Sequence, residues 1–358
     1  MIEKINYTQK LIDYQLDAVL ITNSINKKYL TGFDSDFTYI FMTINKVYFI
    51  VPEIIYEYTK RKIDLKTFLL FKYKSNPFSV IKKIIKKQKI NKIGFEVDYL
   101  PYSKWEYLNV IAPKLIPIKG FLEDIRSIKT LTEIKILREA VKMTEQAIEY
   151  TLKKLQNDMT ELDFEKELEK EMYLLGADGI PFRFEISCGS KSAIINSSPE
   201  NRALKVGELL LIDVGIEYKN YKSDLARTYA ISKSTPEQNY IYDLVYLLLM
   251  DILKLLKPGV PVKKISNYAS EYLKRAGVSY GLFYDIGHGI GVEVHEKPYL
   301  SPKSDEILQE NMVFCIEPGI YLEGFGGIRL EEVILITKNG AELISRCNEK
   351  LPIINFYN

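Results

Sequence analysis

The chain has 358 residues, which exceeds the usual length of a single domain, so one large and one smaller domain are expected. Hydrophobic residues make up 47% of the chain and charged residues 27%, a composition typical of folded globular proteins and not of disordered ones. Lys and Arg number 49 against 47 Asp and Glu, a balance that does not provide the concentrated positive field needed for nonspecific nucleic-acid binding.

The apolar pattern does not indicate a targeting signal or a membrane span. Residues 1–10 are polar, and the most apolar later stretch, residues 244–256, is interrupted by two charged side chains. The three cysteines are far apart and form no CxxC pair, so we predict reduced packing residues. We therefore expect a cytoplasmic protein that binds neither membranes nor nucleic acid.

The first third of the chain alternates short β-rich runs with helical patterns, which predicts a small α/β domain. The helical pattern at residues 79–88 carries an apolar stripe along one side. The β-rich runs are residues 18–22, 39–51, 68–71 and 92–96. Because the pattern changes around residue 122, we predict two domains, residues 1–122 and 123–358.

The second domain shows four helical patterns that open with capping boxes or proline and close near glycine or proline. They begin at Thr130, Thr160, Thr235 and Pro261, and the last three end near Gly176, Pro258 and Gly277. Strand-like runs occupy residues 208–217, 222–231, 313–316 and 328–336. Helices and strands mixed in this way predict a fold of the α/β (α+β) class.

Acidic residues follow the apolar runs of this second domain. Asp213 ends the run 209–212, where an isolated carboxylate would be strongly destabilised unless it is paired or bound to metal. Asp224 lies beyond a turn predicted at residues 218–221, so a hairpin could aim both carboxylates at one point. An exposed pair of acids beside a turn is the alternative.

Two glutamates and two histidines complete the set. Glu317 and Glu331 each adjoin an apolar strand, and both histidines of the chain, His288 and His295, fall in one eight-residue segment. A single histidine on a β-rich run is more often a hydrogen-bonded core residue than a ligand. Four carboxylates and one imidazole form a hard, oxygen-rich set that suits two divalent ions, and carboxylates can bridge such a pair.

Six short segments around these residues resemble one family, in its order: Ile212-Asp213-Val214-Gly215, Ser223-Asp224-Leu225-Ala226-Arg227-Thr228, Gly287-His288-Gly289-Ile290-Gly291, Val294-His295-Glu296, Ile316-Glu317-Pro318-Gly319 and Ile328-Arg329-Leu330-Glu331. They are similar to the Xaa-Pro dipeptidases, Xaa-Pro aminopeptidases and methionine aminopeptidases, which share the pita-bread fold. Residues 17–22 and 29–33 resemble the prolidase-type (creatinase-like) N-terminal domain. The resemblance thus covers nearly the whole chain.

The resemblance implies a dinuclear-metal-dependent peptidase that hydrolyses the bond between an amino-terminal residue and proline. The ions would be manganese or cobalt ahead of zinc or iron. A hydroxide held by the metals would attack the scissile carbonyl, Glu317 would move the proton, His295 would hydrogen-bond the substrate, and Arg329 would support the carboxylates or the substrate. A homodimer is also implied. The implied metal ligands are Asp213, Asp224, His288, Glu317 and Glu331.

The chain departs from the family pattern at several positions. Asn196 stands three residues before Pro199, where active members usually carry a histidine, and an amide donates a weaker contact than an imidazolium. Tyr284 replaces a histidine that Xaa-Pro enzymes often carry, and Tyr299 follows Pro298 where several dipeptidases have an arginine. Ala226 replaces a common threonine. We therefore expect slower peptide hydrolysis without loss of metal.

Two alternatives to an Xaa-Pro peptidase remain open from the sequence. The first is a catalytically weak or inactive relative that keeps the metals and acts as a peptide-binding scaffold, as Asn196 and Tyr284 suggest. The second is a creatinase-like hydrolase of a small carbon–nitrogen substrate, which works on the same fold without metals. Retention of all five ligands argues against this second alternative.

Overall fold

A computed structural model describes residues 7–33, 36–278 and 285–357. The chain divides into two units, Met1–Arg126 and Ser127–Asn358. The boundary near residue 122 stays a prediction, and Tyr284 lies outside the described residues. None of the helices within the described ranges combines the length and apolar composition that a membrane crossing requires.

The first unit is built on a six-stranded mixed sheet in the order β4-β3-β2-β1-β5-β6. Strands β1 to β3 pair antiparallel, whereas β3 with β4, β1 with β5 and β5 with β6 pair parallel. The strands are β1 (Ala18–Ile21), β2 (Tyr39–Thr43), β3 (Val47–Pro52), β4 (Phe68–Tyr73), β5 (Lys92–Glu96) and β6 (Lys114–Ile118). The helices are α1 (Tyr7–Asp13), α2 (Ser24–Thr31), α3 (Tyr56–Lys62), α4 (Pro77–Gln88), α5 (Tyr102–Ile111) and α6 (Glu123–Ser127), which crosses the division between the units.

This unit confirms the predicted alternation but corrects one strand. The run 39–51, predicted as one stretch, is a hairpin, because the backbone N–H of Thr43 donates to Lys46 and the backbone N–H of Lys46 donates to the Thr43 hydroxyl. Asn45 and Lys46 interrupt the apolar run at the turn, a polar signal that the prediction of one stretch passed over. The Lys-rich helix α4 buries its apolar stripe, including Ile81, Ile84 and Ile85.

The second unit contains two larger sheets, each covered by helices. A four-stranded sheet in the order β19-β11-β8-β7 packs against α7 and α8, and a five-stranded sheet in the order β13-β12-β14-β17-β18 packs against α9 and α10. Two short pairs, β9 with β10 and β15 with β16, complete the unit. The helices are α7 (Leu131–Leu152), α8 (Glu161–Leu175), α9 (Pro236–Leu255) and α10 (Val262–Arg275). The strands are β7 (Glu185–Cys188), β8 (Leu209–Val214), β9 (Glu217–Tyr218), β10 (Tyr221–Lys222), β11 (Leu225–Ile231), β12 (Gly287–Gly289), β13 (Glu296–Tyr299), β14 (Val313–Ile316), β15 (Gly319–Leu322), β16 (Gly326–Arg329), β17 (Glu332–Thr337), β18 (Gly340–Leu343) and β19 (Ile353–Ile354).

The helix starts predicted from capping residues are confirmed. Complete capping boxes precede α7, α8 and α9, and their N-cap residues are Thr130, Thr160 and Thr235. Gly176 caps α8 in the left-handed conformation, as only glycine does readily. Helix α9 ends at Leu255, ahead of the predicted stop, because the chain is already extended at Leu256.

One predicted strand of this unit is wrong in a way that matters for the site. The run 328–336 was predicted as one strand, but it is divided between β16 and β17, which belong to different sheets. Leu330 and Glu331 lie between the two strands, and both are buried. Glu331 is therefore held where the chain passes from one sheet to the other.

Candidate metal centre

The two aspartates come from one hairpin, as predicted. Strands β8 and β11 pair antiparallel with Asp213 opposite Ala226, and Asp224 directly precedes β11. The chain reverses at Lys219 and Asn220, whose φ angles of 50° and 70° match the tight turns that suit the twist of a hairpin. Both aspartates therefore lie at the same end of the paired strands β8 and β11.

The histidine and the two glutamates come from the five-stranded sheet. His288 in β12 lies opposite Cys315 in β14, and Ile316 at the end of β14 lies opposite Glu332 at the start of β17. Glu317 follows Ile316 and Glu331 precedes Glu332, so the two glutamates lie next to each other where β14 ends and β17 begins.

The candidate ligands converge at distances that leave room for a cation. The Nε2 atom of His288 lies 3.8 Å from Oδ2 of Asp224 and 3.5 Å from Oε1 of Glu317. The Nδ1 atom of His288 lies 3.2 Å from the carbonyl oxygen of Gly289. If Nδ1 carries the proton and donates it to this carbonyl, the lone pair of Nε2 faces the carboxylates, as in metal-binding histidines.

Two carboxylate oxygens provide a direct test of whether the site fits a metal. Oδ1 of Asp224 and Oε1 of Glu331 are buried and have no hydrogen-bond partner among the described residues. A buried ionised carboxylate oxygen without a partner is strongly destabilising unless the group takes up a proton or a cation binds it. The donor set is oxygen-rich with one imidazole, so the residues present fit divalent ions.

The charges of the cluster also favour a cation. Burial raises the pKa of Asp213, and it raises the pKa of Asp224 and of Glu331 well above the ordinary range of a carboxyl group. Repulsion among these carboxylates and Glu317 raises the pKa values of all three further. Divalent cations would remove both costs, because they compensate the negative charge that burial and repulsion oppose.

Arg329 lies where the sequence analysis expected it, against the carboxylates. Its Nη1 donates to Oδ2 of Asp213, its Nη2 donates to Oε2 of Glu185 at 2.8 Å, and its Nε donates to the Tyr321 hydroxyl at 2.6 Å. Neither Glu185 nor Tyr321 was predicted from the sequence. Glu185 begins a short strand and does not follow an apolar run of the kind that precedes Asp213, and Tyr321 carries no signal either.

The ligands face a cavity of about 800 Å³. Its walls include Asp213, Asp224, His288 and Glu317, and also three residues predicted to act on or near substrate: Asn196, His295 and Tyr299. Glu331 is not among the lining residues, but its ligand atom lies within 4.8 Å of those of Asp224 and His288. The structure thus places four candidate ligands and the candidate catalytic residues around one cavity, with the fifth ligand next to two of them.

Two of the cavity residues have particular geometry. The His295 ring lies 4.0 Å from the His288 ring, centroid to centroid, and burial, followed by the electrostatic interaction with His288, lowers the pKa of His295. It is therefore a neutral imidazole near pH 7. Asn196 has a φ of 60°, a left-handed conformation that asparagine adopts more readily than most residues.

Cys315 has a place that the sequence analysis did not expect. All three cysteines, Cys188, Cys315 and Cys347, are free and buried, as predicted. However, the Cys315 sulfur lies within 4.8 Å of ligand atoms of Asp224, His288 and Glu331. Burial and the charge of Glu331 raise the pKa of the Cys315 thiol. Cys315 is therefore a neighbour of the candidate ligands and not only a packing residue.

Comparison with known proteins gives a consistent result. Residues 135–338 match metallopeptidase family M24, and residues 6–128 match the creatinase/prolidase N-terminal domain. An Xaa-Pro dipeptidase of Pyrococcus furiosus is 30% identical over 354 residues, which cover 98% of this chain and 100% of the relative. A solved Xaa-Pro dipeptidase from Bacillus anthracis superposes with a TM-score of 0.91 at 29% identity over 99% of both chains. An X-Pro aminopeptidase from Thermotoga maritima superposes with a TM-score of 0.85 at 28% identity over 98% of this chain and 99% of the other.

These matches confirm the predicted fold class, a creatinase-like N-terminal α/β domain followed by a pita-bread domain of a metallopeptidase. The matched segment 135–338 makes up more than half of the chain and contains every candidate ligand described above. The chain therefore belongs to metallopeptidase family M24.

Proposed function

We propose that the protein is a dinuclear-metal-dependent peptidase that hydrolyses the bond between an amino-terminal residue and proline, as an Xaa-Pro dipeptidase or aminopeptidase. One observation carries the proposal: four carboxylates and one imidazole converge beside a single cavity, with two buried carboxylate oxygens unpartnered among the described residues. The similarity to an Xaa-Pro dipeptidase and to an X-Pro aminopeptidase supports the choice of substrate class.

The proposed ligands are Asp213, Asp224, His288, Glu317 and Glu331, and the proposed ions are manganese or cobalt ahead of zinc or iron. When bound, two such ions polarise a carbonyl oxygen and lower the pKa of a water molecule, which is the chemistry that amide hydrolysis needs.

The remaining steps fall to side chains of this chain. Glu317 lines the cavity beside His288, where its carboxylate can accept a proton from the attacking water and return it to the leaving nitrogen. Neutral His295 can donate a hydrogen bond to the substrate as negative charge develops, and the Asn196 side-chain amide can donate another from the same cavity. Because an amide carries no charge, we propose that Asn196 slows the reaction.

The test is release of the amino-terminal residue from Xaa-Pro dipeptides and from longer Xaa-Pro peptides, with added manganese or cobalt and with a chelator. Peptides with alanine in place of proline control for sequence preference. Asp224→Asn should abolish turnover, because it removes a ligand charge from the centre. Glu208→Gln removes a carboxylate from the Arg202 ion pair, outside the cavity lining, and should not change turnover.

Each outcome separates the hypotheses. Chelator-sensitive turnover that rises in Asn196→His supports a peptidase slowed by Asn196. Cleavage of dipeptides alone identifies a dipeptidase, and cleavage of longer peptides identifies an aminopeptidase. Metal binding without turnover in either protein favours the peptide-binding scaffold. Turnover that survives complete removal of metal contradicts the proposal.

We also propose a cytoplasmic homodimer that does not bind membranes or nucleic acid, with a domain boundary near residue 122. The even charge balance favours a protein that does not bind nucleic acid, and the dimer is what the family resemblance of the sequence implies. Light scattering after gel filtration measures the mass of the assembly. A monomer at micromolar concentration would contradict the proposed dimer.

A further inference from the structure

A carboxylate without a role in the sequence analysis, Glu185, lies beside the candidate metal centre. Strand β7 pairs with β8 in a register that puts Glu185 directly opposite Asp213. Its side chain lines the cavity, yet the residue is only 5% exposed. A negative charge at a buried strand position is destabilising unless a positive charge or hydrogen bonds compensate it.

The compensating group is the guanidinium of Arg329. Its Nη2 donates to Oε2 of Glu185 at 2.8 Å, while Nη1 donates to Asp213. The second oxygen of Glu185, Oε1, is buried and has no hydrogen-bond partner within the described ranges. One guanidinium is therefore shared by a candidate metal ligand and by a carboxylate outside the ligand set.

Arg329 is held in this position from other directions. Its Nε donates to the Tyr321 hydroxyl at 2.6 Å, and the Thr228 hydroxyl both accepts from its backbone N–H and donates to its backbone carbonyl. Only 4% of its side chain is exposed. The positive charge is consequently fixed next to Asp213, because the side chain cannot turn away to solvent.

A fixed positive charge beside a metal ligand creates a problem. The guanidinium repels divalent cations, and its hydrogen bond uses a lone pair of Asp213 that a metal would also use. Burial strengthens both effects. A second carboxylate that binds the same guanidinium offsets its positive charge. The guanidinium can bind both carboxylates because it is planar and has five N–H donors. Partners of this kind are known to orient ligands and to tune metal affinity.

We propose that Glu185 is a positioning residue of the metal centre, which offsets the charge of Arg329 and thereby keeps Asp213 oriented and available to a divalent cation. This inference rests on the metal site of the proposed function and is independent of the preference for proline. It concerns metal affinity in the first place, so its test does not depend on turnover.

The experiment measures the manganese dissociation constant of the metal-free full chain by competition with a fluorescent chelator. Glu185→Gln keeps the shape of the side chain and removes its charge, and we expect about tenfold weaker binding. Glu208→Gln is the matched control, because it removes a carboxylate from the Arg202 pair outside the cavity lining. In an Arg329→Met background the effect of Glu185→Gln should be clearly smaller, because the charge that Glu185 offsets is gone.

The results separate a failure of the proposed metal site from a failure of the proposed role of Glu185. A wild-type chain that binds no divalent cation overturns the metal site and this inference with it. A wild-type chain that binds manganese and a Glu185→Gln chain that binds it equally well overturn the inference alone. Equal losses with and without Arg329, or an equal loss in Glu208→Gln, indicate general destabilisation and also overturn it.

A folding failure would still leave a decisive comparison. If Glu185→Gln is insoluble, Glu185→Asp replaces it, since it keeps the charge and retracts it by one methylene. Binding several-fold weaker than that of the wild type supports a positional role, and unchanged binding overturns it.

Discussion

Lys129 and Glu296 form a buried ion pair whose disruption should be costly. The Nζ atom of Lys129 lies 2.9 Å from Oε1 of Glu296, and the two side chains are 1% and 2% exposed. Lys129 directly precedes the N-cap of α7, and Glu296 directly follows His295 in the sequence. The pair thus connects the start of the catalytic domain to a residue that we propose to contact substrate.

Lys129→Met keeps most of the apolar stem and removes the ammonium group, so that the main cost is the lost positive charge beside the buried Glu296 carboxylate. Removing one member of a buried ion pair costs about 3–5 kcal/mol of unfolding free energy, and the near-complete burial places this pair toward the upper end. Arg138→Met breaks the pair with Glu342, whose side chains are 38% and 48% exposed. That control should cost less than about 1 kcal/mol.

Urea unfolding followed by far-ultraviolet circular dichroism measures the loss. The single tryptophan, Trp105, lies in the N-terminal unit, so its fluorescence follows that unit separately. Lys129→Met combined with Glu296→Gln should be more stable than Lys129→Met alone, because the buried negative charge is removed together with the positive one. A loss below about 1 kcal/mol in Lys129→Met, or a double variant that loses the sum of the single losses, would refute the reasoning.

Three further predictions concern the metal, the thiols and a glycine. Adding manganese to chelated protein should raise the unfolding free energy by about 2.7 kcal/mol at a hundredfold excess over the dissociation constant, and calorimetry that shows no shift would contradict the site. Because burial raises the pKa of every cysteine thiol, a disulfide reagent at about pH 8 should label none in the folded chain and all three after denaturation. Gly215→Ala should weaken metal binding and lower the melting temperature, since its methyl group would overlap the Ser223 carbonyl oxygen across the aspartate hairpin. The control Gly179→Ala meets open space and should leave metal binding unchanged.

The pH dependence of stability follows from His295. Its pKa is lower in the folded state than the usual value of about 6.5, so the unfolded chain binds more protons as the pH falls below that value. His295 should therefore reduce stability as the pH is lowered through about 6.5, and His295→Gln should remove this part of the dependence. Identical pH profiles for the two proteins would show that another group is responsible.

The sequence indicated those candidate ligands whose local pattern is unusual. Asp213 follows four apolar residues within its strand and Glu317 directly follows an apolar strand, where a charge is costly unless something compensates it, and this cost can be read from a short stretch of chain. The capping boxes were predictable for the same reason, because each satisfies backbone groups within four residues. Features whose energetic cause lies within a few residues of chain can therefore be predicted from the sequence.

Interactions between distant strands were not predictable in this way. Glu185 contacts Arg329 across 144 positions of the chain, and only the register of β7 on β8 brings it opposite Asp213. The passage between sheets at Glu331 was hidden because Ile328 and Leu330 precede it and a further apolar run begins at Val333, so the charged residues between them did not mark a break. In each case the decisive information is strand pairing, which a periodic pattern does not contain.

Asn196 shows why metal binding and turnover should be treated as separate properties of this chain. It follows the 3-10 segment Gly189–Ala193 and belongs to none of the strands that carry the proposed ligands, although it lines the same cavity. An amide at this position changes the charge and donor strength that a substrate meets but removes no ligand, so that the buried carboxylates would still require cations. A chain that bound metal tightly and hydrolysed slowly would therefore be consistent with this arrangement, and only Asn196→His can attribute the slowness to the amide.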